Sequence, residues 1–152
     1  MWWRIKRSEF EGTTGAQRRR AMKKIVESGR VPGLLAYRGR EPVGWVSVAP
    51  REHFPVLARS RVLKPVDDTP VWSIVCFFIR KDFRRRGMTE RLILAAVEHV
   101  RKKGGRVVEG YPLDTTKADV SNMSAFTGFV TAFRRAGFRE CARRSEKRPI
   151  VR

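Results

Sequence analysis

Cysteine, histidine and acidic residues are all scarce in this 152-residue chain. Cys76 lies in an apolar run and Cys141 in a basic tail, too far apart for a CxxC pair, and His53 and His99 form no ligand pattern. Redox and zinc chemistry need such clusters, so no metal site is expected. No run approaches the roughly 20 apolar residues of a membrane span, and the opening MWWRIKRSEF lacks a signal peptide's apolar segment. A cytoplasmic protein without a membrane partner is expected. Linkers, low-complexity tracts and internal repeats are also missing, which points to one domain over residues 1–152.

What the chain has is basic charge. Lysine and arginine number 34 against 15 acidic residues, a formal +19, and arginine supplies 25 of the 34. Such a balance attracts anions: nucleic acid, an acidic protein or a phosphorylated small molecule. Hydrophobic residues at 41% and aromatic residues at 10% are enough for a packed core. The two tryptophans of MWW are expected to pack on the domain or on a second subunit, and the chain to be a monomer or homodimer.

Periodicity divides the chain into elements. Residues 16–28 place Ala21, Met22, Ile25 and Val26 on one helical face, with Gly29 as a stop. Strands at 33–37 and 42–49 flank RGRE, where Gly39 permits a tight hairpin. Residues 52–70 carry three prolines and no sustained period, an irregular connection of the kind that lines sites. VWSIVCFFIR reads as a strand buried on both faces, and residues 87–103 as a helix with Leu92, Ile93, Ala96, Val97 and Val100 inward. RVVEGYPLD is the next strand, parallel to the first by the strand-helix-strand rule. The polar loop TTKADVSNMS leads to a second helix carrying Phe126, Phe129, Val130 and Phe133, and the tail adds one or two edge strands.

Between the buried strand and its helix stands Arg84-Arg85-Arg86-Gly87-Met88-Thr89. First-turn amides of a helix have no internal acceptor, and the macrodipole adds partial positive charge there. Gly87 lets the backbone approach a phosphate and the arginines surround it, whereas neither a P-loop nor GxGxxG is present.

That hexapeptide in that setting resembles the signature of the GNAT superfamily of acetyl-CoA-dependent N-acetyltransferases: Arg or Gln, two residues, Gly, one residue, then Gly or Ala. Threonine takes the last place here. SIVCFFI before it, ERLILAAVEHVRKKGG after it and FRRAGF near the end agree, so the resemblance spans residues 33–140. It implies an α/β (α+β) fold, a central mixed and mostly antiparallel sheet with one parallel, splayed strand pair and helices on both faces. It also implies acyl transfer from acetyl-CoA to an amine acceptor. Pantetheine would meet Phe78, Ile79 and Phe133, and the pyrophosphate Arg84, Arg85, Arg86, Gly87, Met88 and Thr89.

The family's usual acid and its asparagine fall on Phe133 and Phe126. Glu109, in an apolar strand, is the candidate base, with a structural ion pair as its other reading. Tyr111, on the same side, is the candidate acid or else a packing residue. His53, Asp114 and Ser73 are weaker candidates. Trp45 and Arg51 are expected to meet the acceptor. The alternative is a coenzyme-binding or nucleic-acid-binding protein without catalysis, its arginines on a phosphate backbone.

Overall fold

A computed structural model describes residues 1–116 and 122–152, with backbone alone at 122–124. Two short helices open the chain, α1 (Arg7–Glu11) and α2 (Gly15–Glu27), the second held by a capping box between Thr14 and Gln17. α2 turns Ala21, Met22 and Ile25 partly inward, but Val26 faces solvent, contrary to its expected place on the inner stripe.

The hairpin β1 (Leu34–Arg38) and β2 (Glu41–Pro50) follows, with Gly39 at a φ of 59° in the two-residue turn. The proline-rich connection carries a 3-10 turn, Arg51–His53, and one turn of helix, α3 (Pro55–Ala58). Then come β3 (Trp72–Ile79), α4 (Met88–Lys102), β4 (Val108–Gly110), a 3-10 segment (Asn122–Thr127), α5 (Val130–Arg135), β5 (Glu140–Arg143) and β6 (Pro149–Val151).

These strands form one six-stranded sheet in the order β1-β2-β3-β4-β6-β5. Only β3 and β4 pair in parallel; the other four neighbour pairs are antiparallel. The mixed, mostly antiparallel sheet with one parallel pair is as expected. Against α4 and α5 lies one core, built on Val46, Ile74, Phe77, Ile93, Ala96 and Phe133. Against the other face lies a second, built on Trp3, Phe54, Leu57, Val75, Tyr111 and Ile150.

Two expectations change. The phenylalanine-rich helix is only six residues long, because Gly128, at a φ of 79°, separates a 3-10 segment bearing Phe126 from α5, whose N-cap is Phe129. The tail does not simply extend an edge: β6 inserts between β4 and β5. Residues 117–121 of the polar loop lie outside the described residues.

Candidate active site

The parallel pair is short. β3 and β4 share a register only from Trp72↔Val108 to Ile74↔Gly110, while β3 runs on to Ile79. Phe133 occupies the fork, its ring edge-on to Phe77 of β3 with centroids 6.0 Å apart and so close to Gly110 of β4 that a Cβ there would lie 2.2 Å from it. Past Ile74 the two strands therefore diverge. The N–H of Arg80 bonds Val43 O on β2, so alternation turns the amide groups of Phe77 and Ile79 toward the side β4 has left. On the opposite edge of β3, Ser47 pairs with Cys76 but Val48 with Ile74, leaving Val75 as a bulge. The bulge places Val75 and Cys76 together against one cavity.

At the open end of β3 the chain makes the arginine turn. Arg84, Arg85, Arg86 and Gly87 are all exposed, and Arg84 Nε donates to Ile79 O at 2.9 Å. φ is positive at Arg85 (59°) and Gly87 (71°), so the backbone turns sharply twice just before α4. Gly87 caps α4 without any side-chain cap, and the first helical bond starts at Arg91 N–H, to Gly87 O. The amides of Met88, Thr89 and Glu90 are thus available. A Cβ at Gly87 would meet nothing within 4 Å, so space and donors coincide.

At the closed end lies a buried polar network. Glu109, 1% exposed, accepts from Arg51 Nη1 at 3.0 Å and Tyr111 OH at 2.7 Å on one oxygen, and from Arg152 Nε at 3.0 Å on the other. Tyr111 OH also receives Arg51 Nη1 at 2.6 Å and lies 2.8 Å from Ser73 Oγ. Burial first, then the charge of Glu109, pushes the Tyr111 hydroxyl far above its ordinary pKa. Arg51 further donates to the carbonyls of Leu57 and Leu63. The network joins the end of β2, β3, β4 and the residue after β6 at the last paired rungs of the fork.

Several expected roles change accordingly. Glu109 is buried and takes Arg51, Tyr111 and Arg152 as donors, three of about four lone-pair positions, an arrangement that matches the ion-pair reading. Tyr111 is fully buried and committed to Glu109 and Ser73, not to a leaving group. Arg51 is engaged by Glu109, Tyr111 and the carbonyls of Leu57 and Leu63, so its guanidinium braces the fork. Phe133 is wholly buried in the core. Asp114 pairs with Arg143 Nη2 at 3.0 Å and accepts from Thr116. His53 does not line the cavity. Phe78, by contrast, is 59% exposed beside the open edge, and Trp45 does line the cavity.

That cavity, about 700 Å³, lies on the sheet face opposite α4 and α5. Trp2, Trp3, Phe10, Trp45, Phe54 and Phe126 supply its apolar wall; Ser47, Cys76, Arg4 and Arg148 are its polar members. Trp3 is 8% exposed and stands 6.3 Å from Phe126, so the N-terminal tryptophans pack as expected. Arg4, Phe126 and Arg148 escape sequence reasoning as cavity residues. Nothing in the chain distinguishes Arg148 from the other arginines, whereas Trp2, Trp3 and Trp45 carry a signal as large apolar residues.

Comparison with known proteins agrees with this geometry. The profile of the acetyltransferase (GNAT) family matches residues 1–124. Among curated proteins no match is found. Among solved structures, the aminoglycoside antibiotic 6'-N-acetyltransferase of Acinetobacter haemolyticus is 16% identical, with 88% of this chain and 80% of that chain covered and a TM-score of 0.56. AAC(6')-Iy, in complex with a bisubstrate analog of coenzyme A and acetylneamine, is 20% identical over 87% and 78%, with a TM-score of 0.56. The ribosomal-protein-alanine N-acetyltransferase of Brucella melitensis is 16% identical over 91% and 77%, with a TM-score of 0.55. At these identities the likeness is one of fold.

Proposed function

The chain belongs to the acetyltransferase (GNAT) family, and from that premise we propose that it moves an acetyl group from acetyl-CoA to a primary amine by direct attack within a ternary complex. The observation that carries this reading is continuity. An uncapped helix start under three exposed arginines stands at one end of an unpaired strand edge, and the same strand borders an aromatic cavity on the sheet face away from α4.

The residues present fit the coenzyme. The amides of Met88, Thr89 and Glu90, with Arg84, Arg85 and Arg86, would hold the pyrophosphate, and the open space at Gly87 admits it. The cleft-facing amides of Phe77 and Ile79 would hold the pantetheine and donate to a carbonyl oxygen as it gains charge. Acetyl-CoA supplies the activated thioester. The cavity presents the amine from the other side, so orientation provides much of the rate.

Proton handling follows from what lines the cavity. Among the described residues, no carboxylate or imidazole lines the cavity, whereas two guanidinium groups do. An ammonium held about 6 Å from one arginine is disfavoured by about 3 kcal/mol at an effective dielectric near 20, roughly two pKa units. An acceptor that brings its own anion to these arginines offsets that effect, and its ammonium then loses the extra proton to water before the neutral amine attacks. The new N–C bond forms as the C–S bond breaks, and the amine's proton ends on the coenzyme thiol. A thiol with an ordinary pKa of about 8.5 leaves without a tyrosine at position 133.

Calorimetric titration of acetyl-CoA into nucleic-acid-free protein tests the reading. Wild type should bind at micromolar concentration, and a folded Gly87→Glu variant, which places a carboxylate in the anion space, should not. Absence of binding by folded wild type overturns the proposal, and persistent nucleic acid after a high-salt wash would then favour a phosphate-backbone role for the arginines.

A further inference from the structure

The charge of the cavity is unbalanced in a way that bears on the acceptor. Arg4 Nη2 donates to Pro32 O at 3.0 Å, and its guanidinium lies 4.6 Å from the centre of the Phe54 ring. Arg148 Nη1 donates to Thr127 Oγ1 at 3.0 Å and to Tyr111 O at 3.3 Å. These partners are neutral oxygens. Among the described residues, neither arginine has a carboxylate within ion-pair distance, although Arg51, Arg80, Arg143 and Arg152 all do. Both are partly withdrawn from water, and burial lowers both pKa values, that of Arg4 to about 10 with Arg30 contributing. A desolvated cation without a counterion is costly and is relieved by a bound anion.

A third donor belongs to the same lining. The indole Nε1 of Trp3, a wall residue of the same cavity, is buried and has no acceptor among the described residues. Buried tryptophan N–H groups ordinarily find a partner. The rest of the wall is aromatic and apolar, and the volume falls within the roughly 300–1,000 Å³ of small-molecule sites.

We infer that the acceptor is a small amphoteric amine: its amino group is carried on an apolar, preferably aromatic, body together with a carboxylate, as in a free amino acid with a large apolar side chain. Arg4 and Arg148 receive the carboxylate, the aromatic wall receives the body, and the amino group faces Cys76 and Val75 of β3. A polycation finds no carboxylate among the described residues of this wall and two like charges instead. The inference takes its reaction from the acetyl-transfer reading and its binding chemistry from the cavity alone.

The test is a calorimetric titration of wild type, with and without coenzyme A, using phenylalanine, tryptophan and leucine, each beside its carboxamide, and an aminoglycoside. At least one free amino acid should bind tenfold or more tightly than its carboxamide, and this preference should fall to near unity in the Arg4→Met/Arg148→Met double variant. The comparison of acid with amide stands on wild type alone if the double variant does not fold. Equal or tighter binding of the carboxamides, a preference that survives the double substitution, binding of the aminoglycoside in place of the amino acids, or no binding at all overturns the inference. Loss of amino-acid binding beside intact acetyl-CoA binding sinks only this inference; lack of acetyl-CoA binding sinks the acetyl-transfer reading and leaves the cavity result standing.

Discussion

Replacing Glu109 with glutamine keeps the shape of the side chain and removes the charge at the centre of the fork. One amide oxygen can still accept from Arg51 or Tyr111, but the NH2 group then faces a donor where an acceptor stood. Arg152 retains Asp67, which it contacts at 2.6 and 3.0 Å. Arg51, its side chain 13% exposed, loses its carboxylate and keeps only carbonyls and the Tyr111 hydroxyl. Breaking a buried ion pair costs about 3–5 kcal/mol, and the surviving partners place this case near the lower end. For a chain of this size about 3 kcal/mol lowers the thermal midpoint by roughly 6–12 °C.

A general base removed from its site would behave otherwise, with kcat falling by about 10²- to 10⁴-fold and little change in the midpoint. Thermal unfolding and kcat, the latter measured well below the midpoint, separate the two. We expect a lowered Tm and a kcat within a few-fold of wild type. The Arg51→Met variant should also make the second substitution less costly, because the pair being broken is already gone. An unchanged Tm with kcat down a hundredfold refutes this assignment and restores Glu109 as the base.

Phe133→Tyr adds a hydroxyl among Phe77, Phe138 and Gly110; left without a partner it should cost about 1–3 kcal/mol and give no gain in kcat, whereas a rise in kcat would show that the ring reaches the leaving thiol. Tyr111 supplies a pH prediction. Burial and Glu109 raise its pKa above the unfolded value near 10, so its contribution is complete below about pH 10 and is lost as pH rises beyond it. Above that point wild type should lose about 1.4 kcal/mol per pH unit more than Tyr111→Phe; denaturant midpoints of the two proteins that fall in parallel from pH 10 to 11 would contradict it.

What the sequence makes legible are features decided locally. The arginine turn is one, because a positive φ at Gly87 and free first-turn amides depend on a strand, a glycine and a helix in succession. The strand-helix-strand unit is another, since its apolar periods dictate which faces are covered. Glu109 shows where local information stops. A lone carboxylate in an apolar strand marks a need for a partner, and a base and an ion pair both satisfy the same letter. What decides between them is Arg51, 58 residues earlier, and Arg152, 43 residues later, delivered by the end of β2 and by β6. The insertion of β6 beside β4, invisible to periodicity in a three-residue strand, is the step that brings the second cation. Arg148 is the converse: the same segment, one strand-length earlier, sets down an arginine that meets no carboxylate among the described residues. In a chain with 25 arginines composition cannot separate the paired from the unpaired. The acids are few enough that the fold consumes those in reach, and a cation it leaves unmatched inside a cavity points to an anion that arrives with the substrate.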